Sequence, residues 1–240
     1  MSTTAPLARR VVVEAAGSAA LVAVVVGSGI QATQLTRDVG VQLLANSLAT
    51  VFGLGVLIAF LGPVSGAHFN PVVTLAAWFT GRHRRDGLRL REAAAYGGAL
   101  LADAMFTEPV LALASRDRWA EHLWLGEVVA TAGLVWLVLG LARTGRAQLA
   151  PALVASYIGA AYWFTSSTSF ANPAVTIGRA FTDTFAGIAP ASLAPFIAAQ
   201  LLGGVLGLGL VAACFGRTGP TSTSNALPAA RPAEEGALTP

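Results

Sequence analysis

The sequence predicts an all-α membrane protein with six transmembrane helices and two re-entrant half-helices in an inverted repeat. Three observations lead there. The 240 residues are 55% hydrophobic and 11% charged, with a mean hydropathy of +0.65, whereas soluble domains carry roughly a quarter charged residues. Six apolar stretches, at 11–31, 42–62, 92–113, 122–142, 149–166 and 192–215, approach the roughly 20 residues needed to cross a bilayer. Two more, at 69–80 and 171–181, are too short to cross, and each is headed by Asn-Pro.

The first span follows Arg9 and Arg10 and reaches about Ile30. Glu14 interrupts what would be the apolar centre of a signal peptide, so an uncleaved helix is expected. The second span runs into a Ser-Gly stretch before Asn70-Pro71-Val72. Asn before Pro is a helix start, because Asn caps free N–H groups and Pro needs no N–H in the first turn. The third span carries Asp103 and Glu108, the fourth carries Glu127, and the fifth leads to Asn172-Pro173-Ala174. The sixth contains Gln200 and a Gly-rich run. Non-helical backbone at membrane depth is tolerated only inside protein or along a wet cavity, so the two short helices read as re-entrant.

Each half therefore begins with a Glu-bearing span, crosses again, dips in at Asn-Pro and ends with a Gly/Ala-rich span. Three spans per half is an odd number, so the halves are inverted. The expected unit is one channel domain, 11–215, made of repeats 11–113 and 122–215. A cytoplasmic N-terminus, 1–10, precedes it. A tail, 216–240, rich in Pro, Thr, Ser and Ala, reads as disordered.

All 15 basic residues are arginine, and the net charge is +3. Arg9, Arg10, Arg82, Arg84, Arg85, Arg89, Arg91, Arg143 and Arg146 fall on one side of the predicted topology, leaving Arg37, Arg116, Arg118 and Arg179 on or toward the other. The positive-inside rule puts both termini in the cytoplasm of a multi-pass cell-membrane protein. The basic balance is thus topological and points to no nucleic-acid partner. The single Cys214 excludes an internal disulfide. His68, His83 and His122 have no metal-ligand spacing, and no nucleophile comes with a candidate base. No enzyme activity, cofactor or metal is expected.

Ser65-Gly66-Ala67-His68-Phe69-Asn70-Pro71-Val72-Val73-Thr74 and Ser169-Phe170-Ala171-Asn172-Pro173-Ala174 resemble the two signatures of the major intrinsic proteins, the aquaporin and aquaglyceroporin family. The resemblance covers about 10–215 and implies an aquaporin-like fold and a homotetramer with one pore per subunit. It also implies that Glu14 and Glu127 brace the re-entrant loops by accepting backbone N–H bonds. Each Asn would cap its half-helix and offer an amide N–H to a passing solute. The facing dipole ends would repel cations and protons. The carbonyls of Gly66, Ala67 and His68, and of Ser169, Phe170 and Ala171, would form an acceptor ladder. His68 falls on the cytoplasmic pore wall. On the third span Leu100 stands at a Gln-like site and Asp103 near a Gly-like one, where the sixth span keeps Gln200, Gly203 and Gly204.

The family's outer constriction draws on one place on the second span, one on the fifth and two on the second re-entrant loop. Counting back from the Asn-Pro pairs gives Thr50, Ala160, Ser169 and Val175, with Phe52 competing with Thr50. Val175 stands where the family carries arginine. This set has neither ring nor charge, which implies an aperture wider and less polar than in water-selective or glycerol-conducting relatives. Arg179, four residues on, lies on the same face about 6 Å further out. It either leans over the vestibule or pairs with Asp183.

The run Val175-Thr176-Ile177-Gly178-Arg179 with Phe181–Ile188 resembles a bacterial branch associated with arsenic-resistance operons, whose solutes are thought to be uncharged trivalent arsenic hydroxides. The expected function is a passive channel for small neutral solutes, glycerol-like polyols or metalloid hydroxides such as arsenous acid, with water. The alternatives are a mainly water-selective pore, a proton-coupled transporter using Asp103 or Glu108, and a structural membrane protein with an occluded pore.

Overall fold

A computed structural model describes residues 5–80, 98–99, 101–110 and 112–216. The expectations for 1–4, the arginine-rich segment 82–91 with His83, the start of the third span at 92–97, Leu100 and the tail beyond 216 lie outside them. The described residues form helices and connecting loops, with no strand among them. We label the helices α1 (Leu7–Leu35), α2 (Val39–Ser65), α3 (Pro71–Phe79), α4 (Glu121–Arg143), α5 (Ala150–Phe164), α6 (Pro173–Gly178) and α7 (Leu193–Phe215). A further helical stretch includes 98–99 and 101–105. Among the described residues, four helices are long and apolar enough to cross a membrane: Leu7–Leu35, Val39–Ser65, Glu121–Arg143 and Pro190–Phe215.

Local chemistry sets the element ends. Asp38 caps α2 by accepting the Val41 N–H at 3.0 Å, and α2 ends at Gly66, whose φ of 96° suits a residue without Cβ. The third span, expected to run helical to 113, leaves the helix after residue 105 instead. Thr107 turns left-handed there, with φ of 59°, and Pro109 cannot continue a helical ladder.

Small residues allow the helices to approach closely. A Cβ on Gly203 would lie 2.5 Å from the Val128 carbonyl oxygen, and one on Gly207 would lie 2.6 Å from that of Ala132, so α7 rides directly on the α4 backbone. Gly98 meets the Ala19 carbonyl of α1 in the same way. Ala19 follows Glu14 by the same interval as Ala132 follows Glu127. Polar ties supplement the packing, with Asn46 Nδ2 donating to the Val25 carbonyl at 2.7 Å and to Ser28 Oγ at 2.9 Å between α2 and α1.

Candidate functional site

The two Asn-Pro segments meet inside the bundle. Asn70 Oδ1 accepts the Val72 N–H at 3.0 Å, and Asn172 Oδ1 accepts those of Ala174 at 3.0 Å and Val175 at 3.4 Å. Each Asn also reaches across: Asn70 Nδ2 donates to the Ala171 carbonyl at 2.7 Å, and Asn172 Nδ2 to the Phe69 carbonyl at 2.8 Å. One of the two hydrogens on each amide is thus spent tying the loops together. Among the described residues the other meets no protein acceptor.

The loops leading in are held by the two buried acids. Glu14 accepts the N–H groups of His68 at 3.0 Å and Phe69 at 2.8 Å, while Glu127 accepts those of Phe170 and Ala171, both at 2.8 Å. Ala67 and Phe69 have φ of 48° and 47°, and Ser169 and Ala171 have 50° and 48°. Left-handed backbone at non-glycine residues costs roughly 1–2 kcal/mol each, which the charge-assisted bonds offset. A trans peptide carries N–H and C=O on opposite edges. The carbonyls of Ala67, His68, Ser169 and Phe170 therefore face away from the acids, on the side where these residues line a cavity.

That cavity offers about 100 Å³ to the centre of a water-sized sphere, enough for several waters or one small polyol. Its polar lining includes Thr50, Tyr162, Ser169, Arg179, His68 and both Asn caps, and its apolar walls include Leu21, Val25, Leu54, Val73, Val138, Val154, Ile158 and Val175. Tyr162, with Thr50 beside it, and Ala150 mark opposite ends, being twelve residues or about 18 Å apart along α5. On the cavity wall, Tyr162 OH and Thr50 Oγ1 are 3.2 Å apart; Ser169 Oγ is buried behind it, with no hydrogen-bond partner among the described residues.

Several sequence expectations need correction. Ala160 is exposed on the outer face of α5 and does not line the cavity. The cavity face of that helix is Val154, Ile158 and Tyr162, at one-turn spacing, and a two-residue offset points the other way. The ring absent from the expected set is supplied by Tyr162. Phe52 is 69% exposed, two residues off the Thr50 face, for the same reason. Pro71, Val72, Pro173 and Ala174 start the half-helices but face the protein interior. Val72, for example, packs where a Cβ on Gly204 would lie 2.5 Å from its Cγ1. The Ala171 carbonyl is no free rung of a ladder, because it accepts Asn70.

Arg179 is buried and does not pair with Asp183. Its Nε donates to the Ala186 carbonyl, and its guanidinium carbon lies 3.5 Å from the centroid of the Phe170 ring. Asp183 instead accepts from Ser115 N and Oγ, both at 2.8 Å. Those two bonds, the backbone one first, hold its carboxyl below the usual range. Sequence reasoning missed Arg118, a buried loop residue whose Nε donates to the Gly187 carbonyl at 3.1 Å and whose guanidinium carbon lies 4.9 Å from the centroid of the Phe170 ring. Burial first, then Arg179 and Arg116, pull the Arg118 guanidinium down to about 9. Nothing in a single arginine ahead of a span signals this, since its partners lie some seventy residues away. Asp103 is wholly buried but off the cavity, and Glu108 lies beyond the helical residues 101–105.

Comparison with known proteins agrees with this geometry. The profile of the major intrinsic protein family matches residues 1–170. Aquaglyceroporin AqpS of Rhizobium meliloti (strain 1021) is 49% identical over 209 residues, covering 85% of this chain and 89% of that relative. The propanediol uptake facilitator PduF of Citrobacter freundii is 34% identical over 90 residues, 33% of this chain and 34% of its own. The crystal structure of the aquaglyceroporin from Plasmodium falciparum superposes with a TM-score of 0.58 at 17% identity, covering 86% of this chain and 96% of its own.

Proposed function

The chain belongs to the major intrinsic protein family, and from that premise we propose that it forms a passive membrane channel for water and small uncharged solutes, selecting glycerol-like polyols and metalloid hydroxides such as arsenous acid. The observation that carries this reading is one cavity lined by both Asn caps, with hydroxyls, one guanidinium and apolar walls. A neutral polyhydroxyl solute matches both kinds of wall. Its hydroxyls exchange bonds with Thr50, Tyr162, Arg179 and the loop carbonyls, and its carbon or metalloid side slides along Leu21, Leu54 and Ile158.

Val175 in place of an arginine opens the constriction beside the second Asn, and Arg179 supplies a cation one turn further out. Two half-helix N-termini and that guanidinium together disfavour cations and protons. The full unit in this reading has six spans in an inverted repeat over 11–215, both termini in the cytoplasm of the cell membrane, and four copies to an assembly.

A water-selective pore would need a tighter ring than Ser169 and Val175 provide. Asp103, off the cavity, is poorly placed for a proton-coupled carrier. Stopped-flow light scattering on proteoliposomes is the test. Rapid glycerol entry indifferent to a proton gradient is expected, whereas solute accumulation driven by pH would overturn the channel reading.

A further inference from the structure

Three consecutive carbonyls of one turn each receive a guanidinium. Phe185 accepts from Arg116 Nη1 at 2.9 Å, Ala186 from Arg179 Nε, and Gly187 from Arg118 Nε at 3.1 Å. Of these three arginines only Arg179 lines the cavity. With Nε fixed by Ala186 and the guanidinium face held against Phe170, the remaining freedom of its Nη groups is set by where that one carbonyl stands. Among the described residues no protein acceptor engages them, so a solute meets donors aimed by the turn.

The turn is anchored from behind by a pair the pore itself does not use. Thr182 and Asp103 are both wholly buried, and Thr182 Oγ1 donates to Asp103 Oδ1 at 2.6 Å. Among the described residues Asp103 Oδ2 has no hydrogen-bond partner. Leaving half of a buried carboxyl unsatisfied costs stability that an apolar pair would not, so what the pair provides is position. The position is transmitted because the turn is closed tightly on itself. Gly187 N donates to the Thr184 carbonyl at 2.9 Å, and a Cβ on Gly187 would fall 2.6 Å from the Thr182 carbonyl oxygen and 2.9 Å from Ala114 Cβ. Thr182 cannot shift without carrying Ala186 and Gly187 with it.

We propose that Asp103 is a positioning residue for solute selection: through Thr182 it fixes the turn whose Ala186 carbonyl aims Arg179 into the lumen. The proposal rests on the channel reading above and on the place of Arg179 in the cavity.

The test is the ratio of glycerol to water permeability of the full-length protein in proteoliposomes, normalised to inserted protein. Thr182→Val, which keeps the shape and removes the hydroxyl, is expected to move that ratio in the same direction as Arg179→Ala, by about threefold. Asp103→Leu should do the same, and Thr182→Ser should retain the wild-type ratio. In the Arg179→Ala background, Thr182→Val should add nothing. A wild-type ratio in Thr182→Val, an unchanged ratio in Arg179→Ala, or independent multiplicative effects in the double variant would each overturn the proposal. If Asp103→Leu does not insert, the Thr182 series decides alone. Absence of glycerol flux in the wild type would sink the channel reading itself, a separate outcome.

Discussion

The two re-entrant loops are built alike at their roots and differently at their ends. Each root has a buried glutamate taking two consecutive N–H groups, left-handed residues at matching places and an Asn cap tied to the opposite loop. In each, a threonine hydroxyl donates back to the Asn carbonyl, from Thr74 at 3.1 Å and from Thr176 at 2.8 Å. Beyond that they diverge. Thr74 meets the His68 ring at 3.1 Å, whereas Thr176 meets Gln200 Nε2 at 2.8 Å, which also binds Glu127 at 2.7 Å. The first half-helix runs Pro71–Phe79; the second stops at Gly178 and tightens to a 3-10 turn that swings Arg179 to the cavity. In the proposed reading, the shared roots make the central crossing and the unshared ends set which solutes pass.

The strongest challenge to the shared part is removal of its acids. Glu14→Ala and Glu127→Ala each strip two buried N–H groups of a charged acceptor, a loss of about 3–6 kcal/mol. Both variants should lose most of their thermal stability in detergent and their water permeability together. If one acid proved dispensable for flux, the likeness of the two roots would be cosmetic. Gln200→Leu should cost less, about 1–3 kcal/mol, and only at the second loop.

At the unshared end, Val175→Arg is the decisive substitution. It places a second guanidinium about one turn from Arg179 in a space of about 100 Å³, with like charge and excess volume both unfavourable. Glycerol permeability measured by stopped flow should fall at least tenfold, on the order of 1.4 kcal/mol or more at the barrier. Adding Arg179→Ala should recover much of it. A Val175→Arg pore that still passes glycerol at the wild-type rate would mean the constriction lies elsewhere.

A milder pair sharpens the same contrast on α5. Tyr162→Leu removes a hydroxyl and a ring from the cavity wall and should change the glycerol-to-water ratio severalfold, about what one lost hydrogen bond accounts for. Ala160→Leu, on the exposed face, should leave it within error. The reverse result would restore Ala160 to the pore.

How legible this was in the sequence follows the same division. Asn70-Pro71 and Asn172-Pro173 could be read outright, because a cap and a first-turn proline are local chemistry, and Glu14 and Glu127 stood out as acids in apolar runs. Tyr162 was missed because counting along a helix from a distant motif carries an angular error of about 100° per residue, so a two-residue slip turns an outward-facing alanine into a wall. Arg118, Thr182 and the Phe185–Gly187 carbonyls were invisible for another reason. Their partners are set by how two loops fold over one another, and no periodicity encodes that.

The smallest predicted effect concerns Arg118, which belongs to the outer end alone. Its guanidinium sits at about 9 because burial disfavours the charge and Arg179 and Arg116 add to the penalty, well below the value of an arginine in an unfolded chain. Between those values the unfolded chain binds more protons than the folded one, so stability rises with pH across that window; below about 9 the burial penalty is present in full and constant. At pH 10 the relief amounts to about 1 kcal/mol. Wild-type protein in detergent should therefore gain thermal stability between pH 8.5 and 10.5 relative to Arg118→Gln, which has no charge to lose. Parallel pH profiles for the two proteins would show that the cation beneath the turn is at ease there, and that the outer end bears no more electrostatic strain than the symmetric centre.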